Sequence, residues 1–231
     1  MSPDEAGPAG ARRPAEAKPA EAKPAEAKTA FQDIPEHWPV VSSTQNARGP
    51  VAALRTDAVR MPDGAVLPRQ VMEHPGAVAV LALDEAARIL MIRQYRHPVG
   101  RLLWELPAGL RDVSGEPLLV TAQRELLEET GYQARDWLVL ADFFTSPGIS
   151  TERVRMFLAR DLMLVPESKR RYVRQHEEAH LLVAWLPLEE AVARFLAGDL
   201  HNGVTGVGIL SAYAASQTGF AALRRAVAPE H

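Results

Sequence analysis

Apolar and polar positions change period several times along this chain, and each change marks a new element. Val51–Met61 and Ala65–His74 read as strands around Pro62-Asp63-Gly64, a triplet suited to a hairpin turn. Gly76–Asp84 is a short unbroken apolar run, the pattern of a strand buried on both faces. Ala87–Arg96 and Arg101–Leu106 are further strands by composition. Across Leu118–Thr130 the apolar spacing becomes three and four, which predicts a helix, and Gly131 supplies its stop. Strands return at Trp137–Phe144, Val154–Arg160 and Leu181–Leu186, and Leu188–Ala197 and Gly203–Ser216 have helical spacing. That order is mixed α/β (α+β) rather than a repeated βαβ series.

Residues 1–30 break the pattern. They hold five prolines and no aromatic residue, and Pro14–Lys28 is PAEAK three times over. Proline at every fifth position removes backbone donors and interrupts helix, so residues 1–35 are expected to be a disordered, solvated tail. The five basic and five acidic residues among the first 30 cancel, which assigns the whole formal charge of −3 to residues 31–231. With 47% apolar residues, the chain can fill a core. Its slight negative charge gives no general attraction to nucleic acid or acidic membrane surfaces. Gly76–Leu83, the longest apolar stretch, is far shorter than the roughly 20 residues that span a bilayer. The N-terminus has no apolar signal core, so the expected compartment is the cytoplasm. Zero cysteines leave only oxygen and imidazole as metal ligands.

The chemistry concentrates in Gly109–Tyr132. Glu125, Glu128 and Glu129 stand at i, i+3 and i+4, on one face of the expected helix. Three carboxylates so close need a cation, and a hard divalent ion such as Mg²⁺ prefers oxygen donors. Leu119, Ala122 and Leu126, with Leu127 beside them, would anchor the other side, and Arg124 could pair with Glu116 or Glu128. A solvated charged face is the ordinary use of such a cluster. Here, however, a Pro107-Ala108-Gly109 turn precedes it and Gly131 closes it.

Glu116, seven intervening residues, then Arg124, Glu125, Leu126, Glu128, Glu129 and Gly131 together resemble the box of the Nudix hydrolase family. Two departures stand out: six residues rather than five separate Gly109 from Glu116, and Tyr132 occupies a usually aliphatic position. Gln94-Tyr95-Arg96, Trp104–Gly109 and Ser146-Pro147-Gly148 are similar to the ADP-ribose pyrophosphatase branch, with Pro147 16 positions beyond Gly131.

That resemblance implies a Nudix fold, a mixed β-sheet sandwiched between helices, with a small N-terminal β subdomain. On this division residues 36–75 form the subdomain, 76–220 the hydrolase domain and 221–231 a C-terminal tail. It also implies Mg²⁺ (or Mn²⁺) on Glu125, Glu128, Glu129 and Glu116, with the carbonyl of Ala108 completing the shell. Arg96, Glu105 and Glu152 match positions that contact substrate. The implied reaction is hydrolysis of a nucleoside diphosphate derivative, with ADP-ribose giving AMP and ribose 5-phosphate. Nucleotide sugars and oxidised nucleotides are alternative substrates. A homodimer is implied, with Val51–His74 lending an element to the neighbour's pocket, and neither nucleic acid nor membrane is an expected partner.

His176-Glu177-Glu178-Ala179-His180 satisfies HExxH, a zinc protease pattern that would need a helix and a third ligand such as Glu189 or Glu190. The resemblance gives these residues another use: a loop glutamate acting as general base, with Glu178 favoured over Glu177. The stretch Lys169–Arg174, with four basic residues, is a solvated run that could also attract a diphosphate. A non-catalytic nucleotide-binding regulator on the same fold is the remaining class, and an intact set of box carboxylates argues against it.

Overall fold

The computed structural model describes residues 31–170 and 181–230. Residues 31–38 belong to one compact unit of the chain and carry no helix or strand, while the chain from Pro39 onward forms a second.

The second unit opens with β1 (Val40–Arg48), β2 (Ala53–Arg60) and β3 (Val66–Glu73), an antiparallel sheet in that order. The β2–β3 turn is the expected one. Gly64 adopts φ +88, Met61 N–H donates to the Ala65 carbonyl, and Ala65 N–H donates to Asp63 Oδ1. β1 escapes the sequence pattern because Val40–Arg48 is exposed throughout and has no apolar alternation. Polar cross-strand bonds help to hold it, Ser43 Oγ to Asp57 Oδ1 at 2.6 Å and Thr56 Oγ1 to Asn46 Oδ1 at 2.8 Å.

The remaining strands are β4 (Ala77–Ala82), β5 (Arg88–Arg96), β6 (Arg101–Glu105), β7 (Ala108–Leu110), β8 (Tyr132–Phe144), β9 (Arg153–Leu164), β10 (Leu182–Pro187) and β11 (Arg224–Arg225). One sheet runs β11-β8-β9-β4-β7 and another β10-β5-β6. Among the described strands only β4 and β9 form a parallel pair. The helices are α1 (Leu118–Thr130), α2 (Leu188–Ala197) and α3 (Gly203–Ser216), with the bounds expected from spacing.

β4 is the spine because strand residues alternate faces. Val78, Val80 and Ala82 join Ala122 and Leu126 of α1 in one buried cluster. Ala79 and Leu81 join Leu188 and Ala191 of α2 and Ile209 and Ala212 of α3 in the other. Each fully buried Val or Leu contributes about 1.5–3 kcal/mol, so both faces reward an uninterrupted apolar strand. The helices therefore flank the sheet on both sides, as expected. Leu119 packs partly against the α1 cluster, whereas Leu127 is half-buried outside it.

Three expectations are corrected. Pro107-Ala108-Gly109 is not simply a turn: Ala108–Leu110 is a strand paired with Ala77–Ala79. β8 begins at Tyr132, not Trp137, because Gln133, Arg135 and Asp136 interrupt the apolar signal there without preventing pairing to β9. Segment 221–230, expected as a tail, folds back: Arg224 and Arg225 pair with Val139 and Leu138, and Glu230 meets Arg111 at 3.3 Å. Residues 171–180 lie outside the described residues; just before them Glu167–Lys169 forms one 3₁₀ turn. No helix among the described residues is long and apolar enough to cross a membrane.

Candidate active site

α1 carries the carboxylates, and its ends are set locally. Pro117 precedes it with extended φ/ψ, and Gly131 ends it at φ +79, where its N–H reaches the Leu127 carbonyl at 2.8 Å. Between these ends the i, i+3, i+4 spacing turns Glu125, Glu128 and Glu129 away from the Leu126 side.

Arg124 gathers most of this charge. Its Nη1 donates to Glu125 at 2.7 Å and to Glu128 at 3.3 Å, and its Nη2 donates to Glu116 at 3.3 Å. Both partners foreseen for Arg124 are present, with Glu125 added. Burial works against the guanidinium charge, but the bond to Glu116 and the fields of Glu125, Glu116 and Glu128 outweigh it and raise the Arg124 pKa. The Thr121 hydroxyl, and then Arg124, hold the Glu116 carboxyl below the usual carboxylate range.

Glu129 is turned elsewhere. It is buried, and its Oε2 accepts from Ala108 N–H at 2.9 Å. On either side of β7, Pro107 O accepts from Val80 N–H and Arg111 N–H donates to Gly76 O, so alternate residues face β4. N–H and C=O of one antiparallel residue point to one edge, so the Ala108 carbonyl shares the outer edge with its N–H, beside Glu129. Gly109 explains itself sterically. A Cβ there would overlap the side chain of Glu125, so the strand can lie against that carboxylate only as glycine.

These observations test whether the residues suit a divalent cation. The donor set is entirely oxygen, on a helix and strand in close contact, as hard cations require. Among the described residues no three His, Asp or Glu side chains converge at ion-binding distance, and Arg124 lies among Glu116, Glu125 and Glu128. The donors fit the ion, and Arg124 is what the ion would compete with.

β7 also lines a cavity of about 840 Å³, where Ala108 and Gly109 meet Arg96, Glu105 and Glu152. The expected substrate residues thus share one recess, and the box glutamates adjoin it through β7 rather than line it. Glu105 is buried at 2% exposure and accepts from Arg96 Nη2 at 2.6 Å, Gln94 Nε2 at 3.2 Å and Asn202 Nδ2 at 2.9 Å. Glu152 accepts from Thr145 Oγ1 at 2.6 Å, and its other oxygen lies 3.8 Å from His74 Nδ1. That nitrogen accepts from Gly76 N–H, a structural duty. Asn202 and Thr145 were not singled out in the sequence, and Gln94 only as part of Gln94-Tyr95-Arg96, since no local pattern joins them to Glu105 or Glu152. Glu178, His176 and His180 lie outside the described residues.

A larger recess, about 1040 Å³, lies at the other end of β4 beside Leu83 and Asp84. Its arginines are engaged locally, Arg88 with Asp84 and Arg160 with Asp136, and none of the box residues line it. The smaller cavity is the one joined to the carboxylates.

Comparison with known proteins identifies the family. The family model described as "NUDIX domain" matches residues 72–204. An ADP-ribose pyrophosphatase of Mycobacterium tuberculosis is 49% identical over 183 residues, 78% of this chain and 85% of that one. An ADP-ribose pyrophosphatase of Bacillus subtilis is 35% identical over 169 residues, 73% of this chain and 89% of that one. Among solved structures, an "ADP compounds hydrolase" superposes with a TM-score of 0.67 at 18% identity, covering 81% of this chain and 99% of that one, a likeness of fold.

Proposed function

This chain belongs to the Nudix family and is a Nudix hydrolase, and from that premise we propose that it hydrolyses the diphosphate of ADP-ribose to AMP and ribose 5-phosphate with Mg²⁺. The observation that carries this reading is the meeting of Arg96, Glu105 and Glu152 in one cavity whose wall, Ala108–Gly109, touches Glu125 and Glu129. The names of the two relatives support ADP-ribose as the substrate.

Glu125, Glu128, Glu129, Glu116 and the Ala108 carbonyl would hold the metal. When bound, Mg²⁺ (or Mn²⁺) supplies charge neutralisation at the phosphates, which otherwise repel a nucleophile. Arg96 would bind a phosphate oxygen: its guanidinium is fixed by the Glu105 fork, remains half-exposed at the cavity wall and cannot lose its charge. Glu152 would accept from a sugar hydroxyl. Glu178 would take the proton of the attacking water, whose oxygen bonds to one phosphorus as the bridging P–O bond breaks. The basic run from Lys169 would favour the approach of the dianionic substrate. A homodimer through residues 36–75 accords with the exposure of Val40, Val41, Val66 and Leu67 on the β1–β3 sheet, and light scattering would test it.

The decisive experiment is a Mg²⁺-supplemented panel of ADP-ribose, ADP-glucose, GDP-mannose, NADH and dinucleoside polyphosphates, with products resolved by chromatography. AMP and ribose 5-phosphate from ADP-ribose are expected to form fastest. An intact ADP-ribose peak beside vigorous cleavage of another compound would reassign the substrate.

A further inference from the structure

Asn202 is the N-cap of α3, its Oδ1 accepting from Thr205 N–H at 2.9 Å. The other half of the same amide does something a cap does not require. Nδ2 donates at 2.9 Å to Glu105 Oε1, 97 positions away in the chain. The amide orientation follows from its partners, since an N–H needs an oxygen and a carboxylate needs a donor.

Glu105 is a buried carboxylate with donors on both oxygens. Oε2 accepts from Gln94 at 3.2 Å and from Arg96 Nη2 at 2.6 Å, and Oε1 accepts from Arg96 Nε at 3.0 Å and from Asn202. The first turn of α3 also grips the next backbone group, because Leu106 N–H donates to Thr205 Oγ1 at 3.2 Å. Capping alone would be served equally by Asp or Ser, and Asp would suit the helix dipole better. Asp has no donor for Glu105, and only the amide caps the helix through one atom while donating to Glu105 through another.

We infer that Asn202 is a positioning residue for substrate binding: it fixes Glu105, which in turn holds the Arg96 guanidinium at the cavity wall. This inference rests on the reading of Arg96 as a phosphate contact. Asn202→Asp keeps the cap but sets a second carboxylate against Glu105. Arg96 is then drawn between two anions and away from the diphosphate.

The test is a double-mutant cycle of Asn202→Asp and Arg96→Gln, read by steady-state kinetics on ADP-ribose with Mg²⁺ and by thermal melting. Asn202→Asp is expected to raise KM about tenfold, with kcat within about threefold and melting within about 3 °C of wild type. In the Arg96→Gln background the same change should move KM by less than about twofold. An unchanged KM, or an equal rise in both backgrounds, overturns the inference. Should Asn202→Asp not fold, Asn202→Ser serves in the same cycle with the same criteria, its side chain ending one atom short of the place that Nδ2 occupies. A wild type that leaves ADP-ribose intact overturns the substrate reading alone, and the cycle is then read on the nucleoside diphosphate derivative it does cleave. A wild type that cleaves none overturns both.

Discussion

Gly109 lies so close under the Glu125 carboxylate that a single added methyl would overlap its Cδ and Oε1. The backbone there is not in a glycine-only conformation, so the requirement is for space. Gly109→Ala should therefore push the carboxylate aside by about 1 Å. Misplacement on that scale costs on the order of 10²-fold in rate, and overpacking about 1–3 kcal/mol in stability. Kinetics with a Mg²⁺ titration would check it; wild-type activity would mean Glu125 is not needed where it lies.

Arg124 supplies the positive charge among Glu116, Glu125 and Glu128 when no metal is bound. A chelator should abolish hydrolysis yet leave the fold intact. Arg124→Met should melt well below wild type in chelator and recover part of the difference on adding Mg²⁺, because an ion then replaces the lost cation. Equal melting of the two proteins in chelator would refute the bridging role.

Glu178→Gln should lower kcat by about 10²–10⁴, the usual range for a removed general base, with the Mg²⁺ dependence unchanged. The same substitution at Glu177 should have little effect. If the two variants lose activity equally, or neither does, the assignment of Glu178 falls.

Asp142 joins β8 to β9 and to the C-terminal segment, accepting from Arg155 at 2.7 and 2.8 Å and from Arg224 at 2.8 Å. Arg155 in turn donates to the carbonyls of Ala228 and Pro229. Asp142→Asn leaves the buried Arg155 and the half-buried Arg224 uncompensated and should cost about 3–5 kcal/mol by urea denaturation.

The same group sets an acid limit. Burial tends to raise the Asp142 carboxyl, but the bonds from Arg155 and Arg224 prevail and hold it below the ordinary range. A depressed carboxylate stabilises the fold above its unfolded pKa of about 3.9, and that stability is lost as pH falls through the lower folded value. Urea titrations between about pH 5 and pH 2 should show wild type losing more stability than Asp142→Asn. Parallel pH curves would rule out this linkage.

How much of this could be read along the chain depends on how far apart the partners lie. The bounds of α1, its stop at Gly131, the grouping of Glu125, Glu128 and Glu129 and the pairing of Glu128 with Arg124 are relations within one helix and the residue that ends it. Helical geometry fixes them, so residue order alone sufficed. β4 was legible for a similar reason, since burial on both faces demands an unbroken apolar run. β7 was not, because three residues carry no period and become a strand only by pairing with Ala77–Ala79. The Asn202–Glu105 bond spans 97 positions, and neither residue announces the other. Sequence determined which groups could do the chemistry. The tertiary fold decided that Gly109 would bear on Glu125, and that Arg96 would be held by a carboxylate tied to α3, because contacts between distant segments exist only once the core has packed.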